Sequence, residues 1–143
     1  MAPAPRRGAL ILDLTTAANL ASARLGRELA EMGISMELLG LLFEIRLAEP
    51  VTPTALAART GYPLTTLSDY VQRLVDAGEV QRDPNPEDRR SHLLSVTPAG
   101  RERIVASSQA VARVVKAIVP RLERPLWEYE DAVAELRGAL TDA

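Results

Sequence analysis

The sequence predicts a mainly α-helical fold with one small β-hairpin, in the order of a winged helix-turn-helix that carries extra helices at both ends. Three observations predict it. Two short helical segments, closed by Gly61 and Gly78, meet at a tight turn; a charged, proline-containing loop separates two short strand patterns; and long apolar-periodic segments precede and follow this unit.

Each element has its own signal. Residues 1–8, with Pro3, Pro5 and Gly8, read as a flexible N-terminal arm. From Leu10 to Glu31, Leu10, Leu14, Ala17, Ala18, Ala21, Leu25 and Leu29 recur at helical spacing, and Gly33 ends the helix. Ser35 can cap a second helix whose Met36, Leu39, Leu42, Phe43 and Ile45 through Leu47 form a broad apolar surface stopping before Pro50. A third, short helix has Thr52 as N-cap, Pro53 at its first position and Gly61 just past its end. A fourth follows Tyr62 and Pro63, from Leu64 to Asp76, and closes at Gly78, where a positive φ costs glycine nothing. Val80–Arg82 and His92–Thr97 read as paired strands around the turn-rich DPNPEDRRS. Thr97 and Pro98 then repeat the cap-plus-proline start for a long helix that Pro120 ends or kinks, and a last helix runs from about Glu128 to Leu140.

At 143 residues the chain is one domain's length, enough to bury a core without disulfides or metals. Aromatic residues make up only 3%, so Leu, Val, Ile and Ala must do the packing. With no cysteine there is no disulfide framework, thiolate metal site, catalytic cysteine or thiol redox sensor. Arg6 and Arg7 precede a short apolar run that Asp13 interrupts, so the start reads as neither signal peptide nor membrane span, and the expected location is cytoplasmic. Charge argues against a simple basic footprint. The formal net charge is -2, and residues 59–92 hold Arg59, Arg73, Arg82, Arg89 and Arg90 against Asp69, Asp76, Glu79, Asp83, Glu87 and Asp88. A nucleic-acid partner would have to be held by a few placed arginines and by helix N-termini.

The fourth helix has the pattern for such contacts. At about 100° per residue, Leu64, Leu67, Val71, Leu74 and Val75 share one side. Thr65, Thr66, Asp69 and Arg73 lie opposite, flanked by Ser68, Tyr70 and Gln72. Hydroxyl, amide and guanidinium groups suit base edges and phosphates, and contacts near the N-terminal part of such a helix make Thr65, Thr66 and Asp69 the first base-reading candidates, with Gln72 and Arg73 next. Asp69 fits only if it accepts from a cytosine amine or pairs with an arginine. Any surface helix has a polar outer face, so this face needs its context.

That context is the loop. Pro84, Asn85 and Pro86 stiffen a tip on which Asp88 is expected to orient a neighbouring guanidinium, and narrow minor grooves attract such an arginine; the plain alternative is a solvated loop with an ordinary Asp88–Arg90 surface pair. Together the short helix with Leu56, Ala57 and Ala58, the helix TTLSDYVQRLVDAG, the strand VQR, the triplet Asp88-Arg89-Arg90 and the start Thr97-Pro98-x-Gly100 resemble the MarR family of winged helix-turn-helix regulators over essentially the whole chain. The resemblance implies a single domain over 9–143, with a winged DNA-binding part at 35–98 and dimerisation helices at 9–34 and 99–143. It implies a homodimer that binds a palindromic operator in double-stranded DNA as a ligand-responsive repressor, each wing placing Arg89, with Arg90 beside it, in the minor groove. It also implies a small aromatic or phenolic effector between the dimer helices and the DNA-binding part; Phe43, Trp127 and Tyr129 are candidates to line such a pocket, although isolated aromatics in helices are more often core or interface residues.

The terminal stripes fit that picture, because Leu10, Leu14, Val133, Leu136 and Leu140 exceed what one small core can cover and are expected to bury against a second copy. His92 stands alone without carboxylate or cysteine partners at ligand spacing, which argues against a metal site, and no cofactor is expected. There is no Gly-rich phosphate loop, no Ser/His/Asp set and no glycine-flanked nucleophile, and Glu87 and Asp88 lie in an exposed loop, so the chain does not read as an enzyme. The alternative function is a winged-helix protein-interaction module that does not bind DNA.

Overall fold

The computed structural model describes residues 8–143; of the expected N-terminal arm, residues 1–7 lie outside this range. Helix α1 (Ala9–Leu29) passes through a 3-10 turn (Ala30–Met32) to Gly33 at φ 67, and is followed by α2 (Met36–Ala48), α3 (Pro53–Thr60) and α4 (Leu64–Asp76). Strands β1 (Val80–Pro84) and β2 (His92–Val96) come next, then α5 (Pro98–Ile118), a second 3-10 turn (Val119–Arg121) and α6 (Leu126–Asp142). The caps expected from the sequence are formed. Ser35 Oγ accepts from Leu38 N–H at 3.2 Å and Thr52 Oγ1 from Ala55 N–H at 3.2 Å, each satisfying one of the first-turn donors that a helix leaves unpaired.

Thr97 has a double role. Its hydroxyl accepts from Gly100 N–H at 3.1 Å and donates to the Gly78 carbonyl at 2.6 Å, so the residue that starts α5 also closes the base of the hairpin. The two strands pair antiparallel from Val80 with Val96 to Pro84 with His92, two residues further along β1 than the sequence pattern indicates. Pro84 is tolerated because it sits at the end of an edge strand. On the other side of β2, Val51 exchanges both backbone hydrogen bonds with Leu94, at 3.1 and 2.8 Å, and serves as a one-residue third strand.

Two apolar clusters organise the chain. The larger joins Leu41, Leu42, Ile45, Val51, Leu56, Leu67, Val71, Leu74, Val80, Leu94 and Val96, and so welds α2, α3, α4 and the hairpin into one winged unit. The smaller, Leu29, Ile34, Leu39 and Ala110, fastens α1 and α5 to the other side of α2. Helix α2 is thus central, as expected, but its apolar surface is not buried all round. Leu41 turns inward, whereas Phe43 stays 48% and Leu47 58% exposed, because neighbours cover α2 on the Leu42/Ile45 side and leave those two outside.

Between the clusters runs a largely buried ion pair. Glu79 is 6% exposed and accepts from Arg103 Nε at 2.9 Å, while Arg103 Nη1 donates to the Met32 carbonyl at 2.6 Å. One of the six acids counted around the recognition elements is thereby turned away from the surface and neutralised. Helix α6 is a contrast to all of this, since none of its residues is buried. Among the described residues no helix is long and apolar enough to cross a membrane, and no cluster of three His, Asp or Glu side chains could hold a metal ion.

Candidate nucleic-acid interface

Helix α4 separates its faces much as its periodicity predicts. Leu67, Val71 and Leu74 are buried against the core, and Thr65, Ser68, Asp69, Gln72 and Arg73 are exposed along the opposite side. Three positions differ. Leu64, expected inside, is 51% exposed, because it lies in the first turn, beyond the reach of the core beneath Leu67. Thr66, expected outside, is half-buried. Tyr70 turns inward and meets Tyr62 edge-on, ring centroids 5.4 Å apart at 88°, a favourable aromatic geometry that leaves little of it for the polar face. Burial, the neighbouring Tyr70 and Glu37 together raise the Tyr62 phenol above its ordinary pKa.

The start of α4 is open. Pro63 occupies the N-cap and supplies no side-chain acceptor, so first-turn N–H groups beside Thr65 and Thr66 are left for solvent or for a phosphate. Further along, Gln72 is held in a network that helical periodicity does not suggest. Its Nε2 donates to Asp76 at 2.7 Å and its Oε1 accepts from Arg82 Nη1 at 2.9 Å, which fixes the direction of the amide and ties strand β1 to the exposed face of α4. Arg82 is the one arginine of the hairpin to which the motifs assign no role, yet strand alternation carries the signal: residue 82 falls on the same side of β1 as buried Val80, toward α4.

At the far end of the hairpin the loop is shaped by two turns. Asn85 Oδ1 accepts from Glu87 N–H at 3.1 Å, and Asp88 Oδ1 accepts from the Arg90 backbone N–H at 3.0 Å. The expected orienting bond from Asp88 to a guanidinium is therefore not made; the short side chain reaches the backbone two residues on more readily than a neighbouring guanidinium and serves to build the turn. Arg89 and Arg90 are exposed, and among the described residues neither joins an ion pair. Arg73 and Asp69 are likewise without an ion-pair partner among those residues. Among the described residues the tip makes no hydrogen bond to α4; Thr65, Ser68, Asp69, Gln72, Arg73 and Arg82 share one surface, and β1 continues about 7 Å beyond Arg82 before the loop that carries Asp88, Arg89 and Arg90.

The residues expected at a dimer interface lie on α1 and α6. Leu10, Val133 and Leu140 are a little over half exposed, and Leu14 and Leu136 are half-buried. Leu14, Val133, Leu136 and Leu140 line one cavity of about 540 Å³ between α1, α2, the α3–α4 turn and α6. Ile11, Leu12, Leu20 and Trp127, which the terminal stripes do not include, add to the uncovered apolar surface of α1 and α6. Glu44 and Arg137 border the same cavity. Burial pushes the Glu44 carboxyl up, but the hydrogen bonds and charges of Arg137 and Arg59 outweigh it and hold its pKa below the usual carboxylate value of 4.5.

Two short helices joined by a three-residue turn, the second with a free polar face, followed by a hairpin with an arginine-bearing tip, define a winged helix-turn-helix protein. A family model described as MarR family matches residues 33–91, from the end of the first helix to the tip of the wing. The chain is 30% identical over 128 residues to the HTH-type transcriptional regulator Mb0904 of Mycobacterium bovis, covering 87% of this chain and 90% of that protein. With the HTH-type transcriptional regulator YdgG of Bacillus subtilis it shares 29% identity over 63% of this chain and 60% of that protein's length. The crystal structure of a mutant MarR from E. coli complexed with operator DNA superposes with a TM-score of 0.70 at 26% identity, covering 94% of this chain and 95% of that one. The chain belongs to the MarR family and is a DNA-binding transcriptional regulator.

Proposed function

We propose that this regulator is a homodimer that reads a palindromic operator with α4 and the wing, acts as a ligand-responsive repressor in the cytoplasm, and has no enzymatic activity. In this reading residues 35–98 are the DNA-binding part and residues 9–34 and 99–143 the dimerisation frame. The two apolar clusters support that division, since one lies wholly within the winged unit and the other fastens the flanking helices to it. Thr65, Thr66 and Asp69 read bases, Asp69 as acceptor from a cytosine amine; Ser68, Gln72 and Arg73 contact bases and phosphates; Arg89 enters the minor groove with Arg90 beside it, and Asp88 holds the turn that presents them. The observation that carries the reading is where α4 and the wing present free cations on an otherwise acidic protein: Arg73 on the polar face of α4 and Arg89 and Arg90 at the wing tip are exposed and join no ion pair among the described residues. Dimerisation through Leu10, Leu14, Val133, Leu136 and Leu140 is supported by a 17-residue α6 that buries none of its own side chains.

The test is a fluorescence anisotropy titration against duplex DNA from upstream of its own gene. The expected result is saturable binding by a dimer, stronger than to a scrambled duplex, with affinity falling as salt rises because bound phosphates release counterions. Absence of binding at low salt sinks the reading and leaves the protein-interaction module.

An effector site is supported by a second cavity, about 360 Å³, lined by Leu25 from α1, Met36, Leu39 and Phe43 from α2, and Ile104, Ser107 and Val111 from α5. Ser107 Oγ is buried with no hydrogen-bond partner among the described residues, an uncompensated cost that a phenolic hydroxyl would remove. Phe43 is the expected aromatic lining residue, whereas Trp127 and Tyr129 line neither cavity. In a panel of small phenols, the best binder should lose about tenfold in affinity on Ser107→Ala, the scale of one hydrogen bond. An unchanged dissociation constant by calorimetry would remove Ser107 from the site.

A further inference from the structure

Helix α6 is joined to the winged unit by a single polar junction among the described residues. Arg137 Nη2 lies 2.6 Å from Glu44 Oε2 on α2 and donates to the carbonyl of Arg59, in the last turn of α3, at 3.4 Å. Arg59 places its own Nη2 and Nε on that same carboxylate oxygen, at 3.1 and 3.3 Å. The Glu44 side chain is only 13% exposed, so the carboxylate is held between two guanidinium groups in a partly dry setting. Two further effects favour a cation at this spot. The carbonyl end of a helix carries partial negative charge, and a planar guanidinium has donors enough to serve a carboxylate and a carbonyl at once.

The position of the junction matters more than its strength. Only Gly61, Tyr62 and Pro63 separate α3 from α4, so a restraint on the Arg59 carbonyl acts at the root of the recognition helix. On its other side the restraint is anchored to the helix that bears Val133, Leu136 and Leu140. We propose that Arg137 is a positioning residue for operator recognition. By clamping α6 to Glu44 and to the end of α3, it sets the angle of the helix-turn-helix on the dimer frame, and with it the half-site spacing the dimer accepts. This inference rests on the dimeric reading above. It assigns Arg137 no contact with DNA: a partly exposed ion pair contributes little to overall stability, but this one joins the two bodies whose relative angle decides where the second recognition helix falls.

The experiment selects half-sites from random duplexes with the wild-type protein, then measures binding to paired half-sites whose separation is varied, with oligomeric state followed by light scattering. Changing the spacer by two base pairs rotates one half-site by roughly 70° about the duplex, so a stiff dimer discriminates sharply. Wild type is expected to prefer its selected spacing by about tenfold, and Arg137→Met, still dimeric and reading the same half-site sequence, by less than about threefold. Arg137→Lys, which keeps a charge beside Glu44, recovers most of the preference. A dimeric Arg137→Met with the wild-type spacing preference overturns the proposal, as does one that loses half-site recognition and thermal stability together, which marks a merely structural contact. A wild-type protein that is monomeric and selects isolated half-sites overturns the dimeric reading first and this inference with it.

Discussion

Gly100→Ala is expected to destabilise the protein by about 3 kcal/mol, the upper end of the usual cost of forcing extra atoms into a packed site. A Cβ at this position would collide with the Glu79 carbonyl oxygen, and it would stand 2.6 Å from Val96 Cγ1 and 3.1 Å from the Glu79 carbonyl carbon. None of these neighbours can yield cheaply. The Glu79 carbonyl accepts from Thr97 N–H at 3.0 Å, Val96 is 4% exposed in the main core, and Val96 N–H is itself held by Glu49 Oε2 at 2.7 Å. Relief would require α5 to lift off the hairpin base. Since ΔΔG of 1 kcal/mol moves the midpoint of a domain this size by about 2–4 °C, thermal unfolding followed by circular dichroism should show a fall of roughly 6–12 °C. Gly26→Ala in α1, where an added Cβ meets nothing within 4 Å, is the matched control and should leave the midpoint unchanged or higher. A drop at Gly100 no larger than at Gly26 would mean that the hairpin base is soft.

The second large effect concerns binding. Replacing Arg89 and Arg90 together by alanine should weaken operator binding by about 2–4 kcal/mol and reduce the slope of log affinity against log salt by about 1 for each phosphate left without its arginine. The protein itself should unfold at its normal temperature, because both side chains are exposed and make no ion pair among the described residues. The ratio of specific to non-specific affinity separates the two positions: an arginine in a narrow minor groove contributes sequence-dependent energy, whereas one on phosphate weakens all duplexes alike when removed. The acidic remainder makes this test sharp. With a net charge of -2 there is little diffuse attraction to replace the missing guanidinium groups. Wild-type affinity and salt slope in the double variant would exclude the wing from the interface.

Much of the fold is legible in the chain itself. Ser35, Thr52 and Thr97 stand at cap positions in the sequence and each accepts the expected backbone N–H; Gly33, Gly61 and Gly78 stand at the expected helix ends and each has a positive φ. Exposure is less legible. Leu64, Phe43 and Leu47 satisfy an apolar pattern yet stay half exposed, since periodicity tells which side a residue is on and not whether a neighbour reaches it. Asp88 shows a similar gap, because a carboxylate beside two arginines looks like an ion pair until the turn brings a backbone N–H to it at 3.0 Å.

Local signals, then, determined the order of elements and their caps and turns, because capping, periodicity and turn chemistry act between residues a few positions apart, whereas the role proposed for the wing came from the family resemblance. The tertiary structure decided what acts across long separations. It placed Arg82 on Gln72, buried Glu79 against Arg103, left Ser107 beside a cavity without a partner among the described residues, and joined Arg137 to Glu44 and Arg59. No sequence period links positions 44, 59 and 137. Their meeting follows only from how α2, α3 and α6 are stacked, and it is at such meetings that a partly buried charge finds or lacks its counterpart.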